Sequence, residues 1–167
     1  MQKVFFLVVF LCASRAYSQE VIHFDSLGIA AILEEHNKER RLVGTVDLMW
    51  DEDIARYAQE WAIKLAKDDS RLRHRDETNY GENISFFAGY EFQPALGVSL
   101  WNEEKVDYRY SKIGESGSDE SMHYTQVIWG NSTRVGCGCA QSESGSYFFV
   151  CNYDPAGNYV GQYPYER

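Results

Sequence analysis

The 167-residue chain carries 16 basic and 25 acidic residues, a formal net charge of −9, and 44% of it is hydrophobic. That length and apolar content suit one domain with a sizeable core. The acidic balance argues against nucleic acid as a partner and against simple attraction to anionic lipid.

Lys3, the apolar run from Val4 to Ala13 and the small-residue ending Ala16-Tyr17-Ser18 read as a cleaved secretory signal. The run is far short of the roughly 20 apolar residues a membrane span needs, and no later stretch could span a bilayer. The expected division is therefore a signal peptide at 1–18 and one domain over 19–167. Removing Lys3 and Arg15 leaves 14 basic against 25 acidic residues, a net −11.

From Ser26, a candidate N-cap, Leu27, Ala30, Ala31 and Leu33, then His36, Asn37 and Arg40, recur at helical spacing, and Gly44 ends the segment. Asp51 is the next candidate cap, ahead of an apolar face of Ile54, Ala55, Ala58, Trp61, Ala62 and Leu65. Trp50 and Trp61 are expected in the core. His74 lies between Arg73 and Arg75 in a densely charged stretch, where a lone histidine is ordinarily solvated. Glu82 follows Gly81 and precedes the apolar Ile84, Phe86 and Phe87, and its plain reading is a carboxylate capping backbone amides.

Pro94 starts a third helix with Leu96, Val98, Leu100, Trp101 and Val106, and one of Glu103 and Glu104 should face inward. The Gly-, Ser- and acid-rich stretch from Ser111 to Ser121 reads as a loop placed to cover His123. Met122 to Trp129 reads as a short helix or turn. It leads into an alternating strand through Arg134, Val135, Cys137 and Cys139. Helices first and a hairpin last predict an α+β arrangement.

Once Cys12 leaves with the signal, Cys137, Cys139 and Cys151 remain, so one thiol is left over. Cys137 and Cys139 share a strand face, and a turn near Glu143 to Gly145 could bring either one opposite Cys151. Spacing alone does not choose between them.

HYTQVIW at 123–129, RVGCG at 134–138 and FVCNYDPAGNYVGQYPY at 149–165 resemble the signature segments of the CAP superfamily: cysteine-rich secretory proteins, antigen 5 and plant pathogenesis-related proteins of group 1. HNKERR at 36–41, LMWDEDIARYAQEWA at 48–62 and YGENIS at 80–85 match the remaining segments in the same order. The resemblance implies a three-layer α-β-α sandwich with a small antiparallel sheet. It also implies a Cys137–Cys151 disulfide, with Cys139 left as a buried, reduced thiol. Asn83-Ile84-Ser85 and Asn131-Ser132-Thr133 are both glycosylation sequons. The resemblance places the first near the family's cleft, which leaves Asn131 as the acceptor.

The spacing of His74, Glu82, Glu104 and His123 does not by itself show convergence. Residue by residue, they resemble the CAP cleft tetrad. Two such histidines could offer neutral imidazole nitrogen to Zn²⁺, with Glu82 and Glu104 orienting the rings, in a site more open than three- and four-ligand zinc centres and not required for the fold. The sequence lacks H-E-x-x-H and G-x-S-x-G, and no residue is assigned a catalytic role.

Three readings follow. The resemblance implies a secreted protein that binds sterols or fatty acids in an apolar groove, for which Phe86, Phe87, Tyr90, Phe92, Tyr108 and Tyr110 are candidate lining. The alternatives are a secreted defence or signalling protein acting through an extracellular protein partner, and a metal-assisted hydrolase built on the tetrad.

Overall fold

In a computed structural model, the structure describes residues 20–69, 72–89, 91–115 and 119–167. The expected signal at 1–18 and Tyr90 lie outside the described residues. Among the described residues five strands and four α-helices run in the order β1 (Glu20–Ile22), α1 (Ser26–Leu42), β2 (Met49–Trp50), α2 (Glu52–Asp68), β3 (Gly81–Phe87), α3 (Pro94–Glu103), α4 (Met122–Val127), β4 (Arg134–Gln141) and β5 (Tyr147–Asp154). The main sheet is antiparallel in the order β1-β4-β5-β3, and the two-residue β2 lies parallel to β4. β3 is thus an edge strand, paired on one side with β5.

Residues alternate between the two faces of the sheet. On one face Ile84, Ala140, Phe148 and Val150 pack against Ala58, Trp61, Ala62, Leu65 and Ala66 of α2. On the other, Val135, Cys137, Cys139, Phe149, Cys151 and Tyr153 pack beneath Ile32 of α1, Val98 and Trp101 of α3, and Tyr124 and Val127 of α4. The result is the expected three-layer α-β-α sandwich. Two of the β4 positions that turn toward α2 are glycines, Gly136 and Gly138. A Cβ on Gly136 would overlap the Ala55 backbone nitrogen, and one on Gly138 would overlap the Gln59 backbone. The bare strand therefore lets α2 lie directly on it, and the Gln59 side chain uses that approach to exchange two hydrogen bonds with Cys139, at 2.8 and 3.0 Å.

The cap of α2 is Asp51, which accepts from the Asp53 and Ile54 amides. For α1 the cap is Asp25, whose Oδ1 accepts from the Gly28 amide at 2.8 Å, and Ser26 is the first helical residue. The carboxylate one residue earlier takes the role. The helix ends at Leu42, and Gly44 leaves it at φ +78, a left-handed conformation that suits glycine. Of the two tryptophans expected in the core, Trp61 is buried, whereas Trp50 is half-buried and donates to Glu52. Leu100 and Val106, expected on the apolar face of the third helix, are exposed.

The inward face of α1 is polar below Ile32. Asn37 pairs both ways with the Leu48 backbone, at 2.7 and 3.1 Å. Fully buried Arg40 donates to the carbonyls of Val46, Val127, Trp129 and Ser132 at 2.7–2.9 Å. These side chains satisfy carbonyls in loops and at the end of α4, since buried backbone must find partners somewhere. Burial lowers the Arg40 pKa to about 10, so the guanidinium stays charged.

Candidate functional site

Glu82 sits at the second position of β3, and its side chain is almost fully buried. Oε1 accepts from His74 Nδ1 at 2.9 Å and from the Arg75 amide at 3.0 Å, while Oε2 accepts from the Asn152 side chain at 3.3 Å. The carboxylate does cap a backbone amide, as its plain reading has it, and it also fixes a histidine. The hydrogen bond from Glu82 raises the His74 pKa against partial desolvation. Because a carboxylate only accepts, the neutral His74 ring keeps its proton on Nδ1 and leaves the Nε2 lone pair free.

Glu104 follows directly on α3 and is the acid of the pair that faces inward. Its Oε1 accepts from His123 Nδ1 at 2.6 Å, and its Oε2 accepts from the His123 and Tyr124 amides at 3.0 and 3.1 Å. Those amides belong to the first turn of α4, whose own cap, Ser121, makes no side-chain hydrogen bond. One carboxylate therefore starts the helix and sets the tautomer of its histidine. Trp101 stacks on the His123 ring at 6.1 Å with 14° between planes.

The two His–Glu pairs are tied to consecutive residues of the edge strand. Glu82 holds His74 directly, whereas the Asn83 amide donates to the His123 carbonyl at 3.0 Å. Consecutive strand residues point to opposite faces, so the pairs belong to opposite layers that meet at this edge. Among the described residues no three His, Cys, Asp or Glu side chains gather into a group able to hold a metal ion.

Residues 33–153 match the model of the cysteine-rich secretory protein (CAP) family. The chain belongs to this family. It is 38% identical over 133 residues to a pathogenesis-related protein of PR-1 type from Sambucus nigra, covering 80% of this chain and 79% of the relative. It is 41% identical, over 80% of its length and 78% of the relative's, to pathogenesis-related protein 1A of Nicotiana tabacum. The fold matches the crystal structure of NaASP2 with Zn²⁺ at a TM-score of 0.73 and 21% identity, over 86% of this chain and 87% of that one.

Within this CAP domain, Cys137 lies directly opposite Cys151 and is joined to it, while Cys139 faces Phe149 and remains a buried thiol. Burial pushes the Cys139 thiol far up, away from the thiolate a nucleophile needs. The loop expected to cover His123 is pinned elsewhere at its start: buried Ile113 exchanges backbone hydrogen bonds with Gly161 and Gln162 at 2.9–3.0 Å.

The aromatic residues named as groove lining are dispersed. Phe87, Phe92 and Tyr108 join the core on the α1 and α3 side. Tyr110 stacks on Tyr163 at 4.8 Å, and Phe86 lies exposed, edge-on to Phe148.

Sequence reasoning put Asn83 near the cleft only as a sequon and missed its bond to His123, and it missed Asn152 and Trp101 as parts of the site. The signal for Asn83 and Asn152 was their polarity at strand positions otherwise apolar, and for Trp101 its place three residues before Glu104. Asn83 also leads inward, since its amide reaches the Tyr153 hydroxyl at 3.3 Å and Tyr153 donates to His36 Nε2 at 2.8 Å.

Proposed function

We propose that the chain is a secreted defence protein of the pathogenesis-related type, whose working site is the pair of carboxylate-held histidines at the β3 edge. We assign to that site weak binding of a divalent transition metal, Zn²⁺ first, and no efficient catalysis. The observation that carries this reading is the shared tautomer: Glu82 and Glu104 each occupy Nδ1 and leave Nε2 as the donor. That is the arrangement in which carboxylates commonly orient metal-binding histidines. His74 lies on a loop with 66% of its side chain exposed, so its ring stays open to an ion arriving from solvent while Glu82 holds Nδ1. Two nitrogen donors with water completing the shell make an open, low-affinity site. The fold likeness to NaASP2, a protein crystallised with Zn²⁺, supports the choice of metal.

Calorimetric titration of the purified protein with Zn²⁺ tests this reading. His74→Ala and His123→Ala should each abolish most of the affinity, whereas Glu82→Gln and Glu104→Gln should weaken it less. Unchanged binding in both histidine variants defeats the proposal. Chelator-sensitive ester or peptide turnover lost in those variants would instead favour the hydrolase.

A second reading is carriage of a sterol or fatty acid. Exposed Phe86 and Leu100, at 43% and 38%, favour it as apolar surface on the edge strand and on α3. Mass spectrometry of lipid copurifying with the secreted protein decides it. If none copurifies and neither labelled cholesterol nor palmitate binds, action through an extracellular protein partner is left.

A further inference from the structure

The turn that follows α4 carries Asn131, exposed, with the Ser132 amide closing the turn onto the Trp129 carbonyl at 3.1 Å. Among the described residues the Asn131 side chain has no hydrogen-bond partner. Thr133, the hydroxyl residue of its sequon, is also exposed. Asn131 borders an open cleft of about 850 Å³ whose other wall is the C-terminal segment Gly161–Arg167. The Gly130 amide donates to the Pro164 carbonyl at 2.7 Å and fastens the turn to that wall. Tyr163 and Tyr110 lie there as a parallel stack, 9° between planes, with the Tyr110 hydroxyl donating to the Tyr165 carbonyl at 2.9 Å. Tyr163 lines the cleft and is 45% exposed.

The other sequon is placed very differently. Asn83 is 2% exposed, and its amide nitrogen makes the two hydrogen bonds to the His123 carbonyl and the Tyr153 hydroxyl. A sugar on that nitrogen would have to lie inside the packed layer and would disrupt both bonds. A chain modified at Asn83 could not reach this fold.

We infer that the secreted protein carries an N-linked glycan on Asn131 alone, and that the first sugars of this glycan lie in the adjoining cleft against Tyr163. This rests on the reading that the chain enters the secretory pathway. The donor is a lipid-pyrophosphate-linked oligosaccharide of that compartment. The Asn131 amide nitrogen forms a bond to the anomeric carbon and loses a proton, and the bond from that carbon to the pyrophosphate oxygen breaks, releasing the lipid pyrophosphate. An N-acetylglucosamine unit presents an apolar C–H face that suits an aromatic ring and an acetamide that suits backbone donors and acceptors, both of which the cleft supplies. The cleft volume falls within the roughly 300–1,000 Å³ of pockets that bury small molecules.

The full chain, expressed in a eukaryotic secretory host, tests this through glycopeptide mapping of the medium and nitration of surface tyrosines. Glycan is expected at Asn131 and not at Asn83. Tyr163 should nitrate about threefold more slowly than in the Asn131→Gln and Thr133→Ala variants, as covering most of its exposed face requires. Tyr159, 51% exposed and outside the cleft, should nitrate equally in all three and serves as the control. Thr133→Ala keeps Asn131 in place, so the comparison survives if Asn131→Gln misfolds. Secreted protein without glycan, or folded protein with glycan at Asn83, overturns the inference and leaves secretion standing. Glycan at Asn131 with unchanged Tyr163 nitration overturns its seating in the cleft. Full-length chain retained in the cytosol with residues 1–18 attached overturns the secretory reading itself, and the modification with it.

Discussion

Asn83 holds His123 by its main chain, through one hydrogen bond from the Asn83 amide to the His123 carbonyl at 3.0 Å. The same amide reaches Tyr153, Tyr153 donates to His36 Nε2, and His36 Nδ1 donates to the Ile32 carbonyl at 2.8 Å. A cleft histidine is thereby anchored to the middle of α1 through four buried groups. Asn83→Leu should remove the donor to both the His123 carbonyl and the Tyr153 hydroxyl and cost about 1–3 kcal/mol. Urea unfolding measures that cost. If the anchor also sets the cleft geometry, zinc affinity should fall in the same variant while the His74–Glu82 pair keeps its NMR signature.

The glycines of RVGCG make a different kind of demand. Gly138 faces α2 so closely that a methyl group would strike the Gln59 backbone, which cannot yield as a flexible side-chain end would. Gly138→Ala should therefore push α2 off β4, break the paired Gln59–Cys139 bonds and cost about 3 kcal/mol or more, as overpacking against backbone does. Thermal unfolding checks this. A shift of only a degree or two would show that α2 can slide.

Why some of this was legible from the residues and some was not follows from range. The α2 face was readable because six apolar residues keep one period, and the Asp51 cap because its chemistry is local. The hairpin registers Cys137 with Cys151 through a turn of a few residues, yet a slip of two would have matched Cys139 equally well, so spacing left that choice open. His36, Asn37 and Arg40 showed helical spacing but not their role. Their partners are backbone groups at positions 32, 46, 48, 127, 129 and 132 and the side chain of Tyr153, and no local pattern announces a carbonyl in need of a donor. The His–Glu pairings depend on β3 lying at the sheet edge between two helical layers, which spacing over fifty residues does not encode.

The cysteines give a prediction with two separable arms. The Cys137–Cys151 bond spans 14 residues of sequence, and closing a loop of that size contributes about 3 kcal/mol in the chain-entropy model. Reduction should lower stability by about that amount. Cys139, buried and with its thiol pKa pushed up by burial, should resist iodoacetamide in native buffer and react stoichiometrically in denaturant. Rapid native labelling would mean that the β4–β5 core opens locally.

Acid stability should turn on His36. Burial, the largest cause, lowers its pKa from 6.5 to about 4, with the nearby Arg40 charge acting in the same sense and the bond to Ile32 opposing. The folded state therefore binds this proton less readily than the unfolded chain. Between pH 6.5 and 4 the unfolded state holds more protons, and stability rises with pH across that window. Seen from the other side, acidifying from 6.5 to 4 should progressively cost up to about 3 kcal/mol from this one residue. His74 acts in the opposite sense. Its pKa is raised by Glu82, so its small contribution is complete below 6.5 and fades as pH climbs through its folded value. With two-thirds of its side chain in solvent, that contribution is heavily screened. Urea unfolding at half-unit steps from pH 7.5 to 4 should thus show a steep decline below 6.5. His36→Gln should flatten it, since glutamine can still donate to Ile32 but has no proton to gain. An unaltered slope in that variant, or an NMR titration placing the His36 ring near 6.5 in the folded protein, would show that the buried imidazole is not the acid-labile point of the fold.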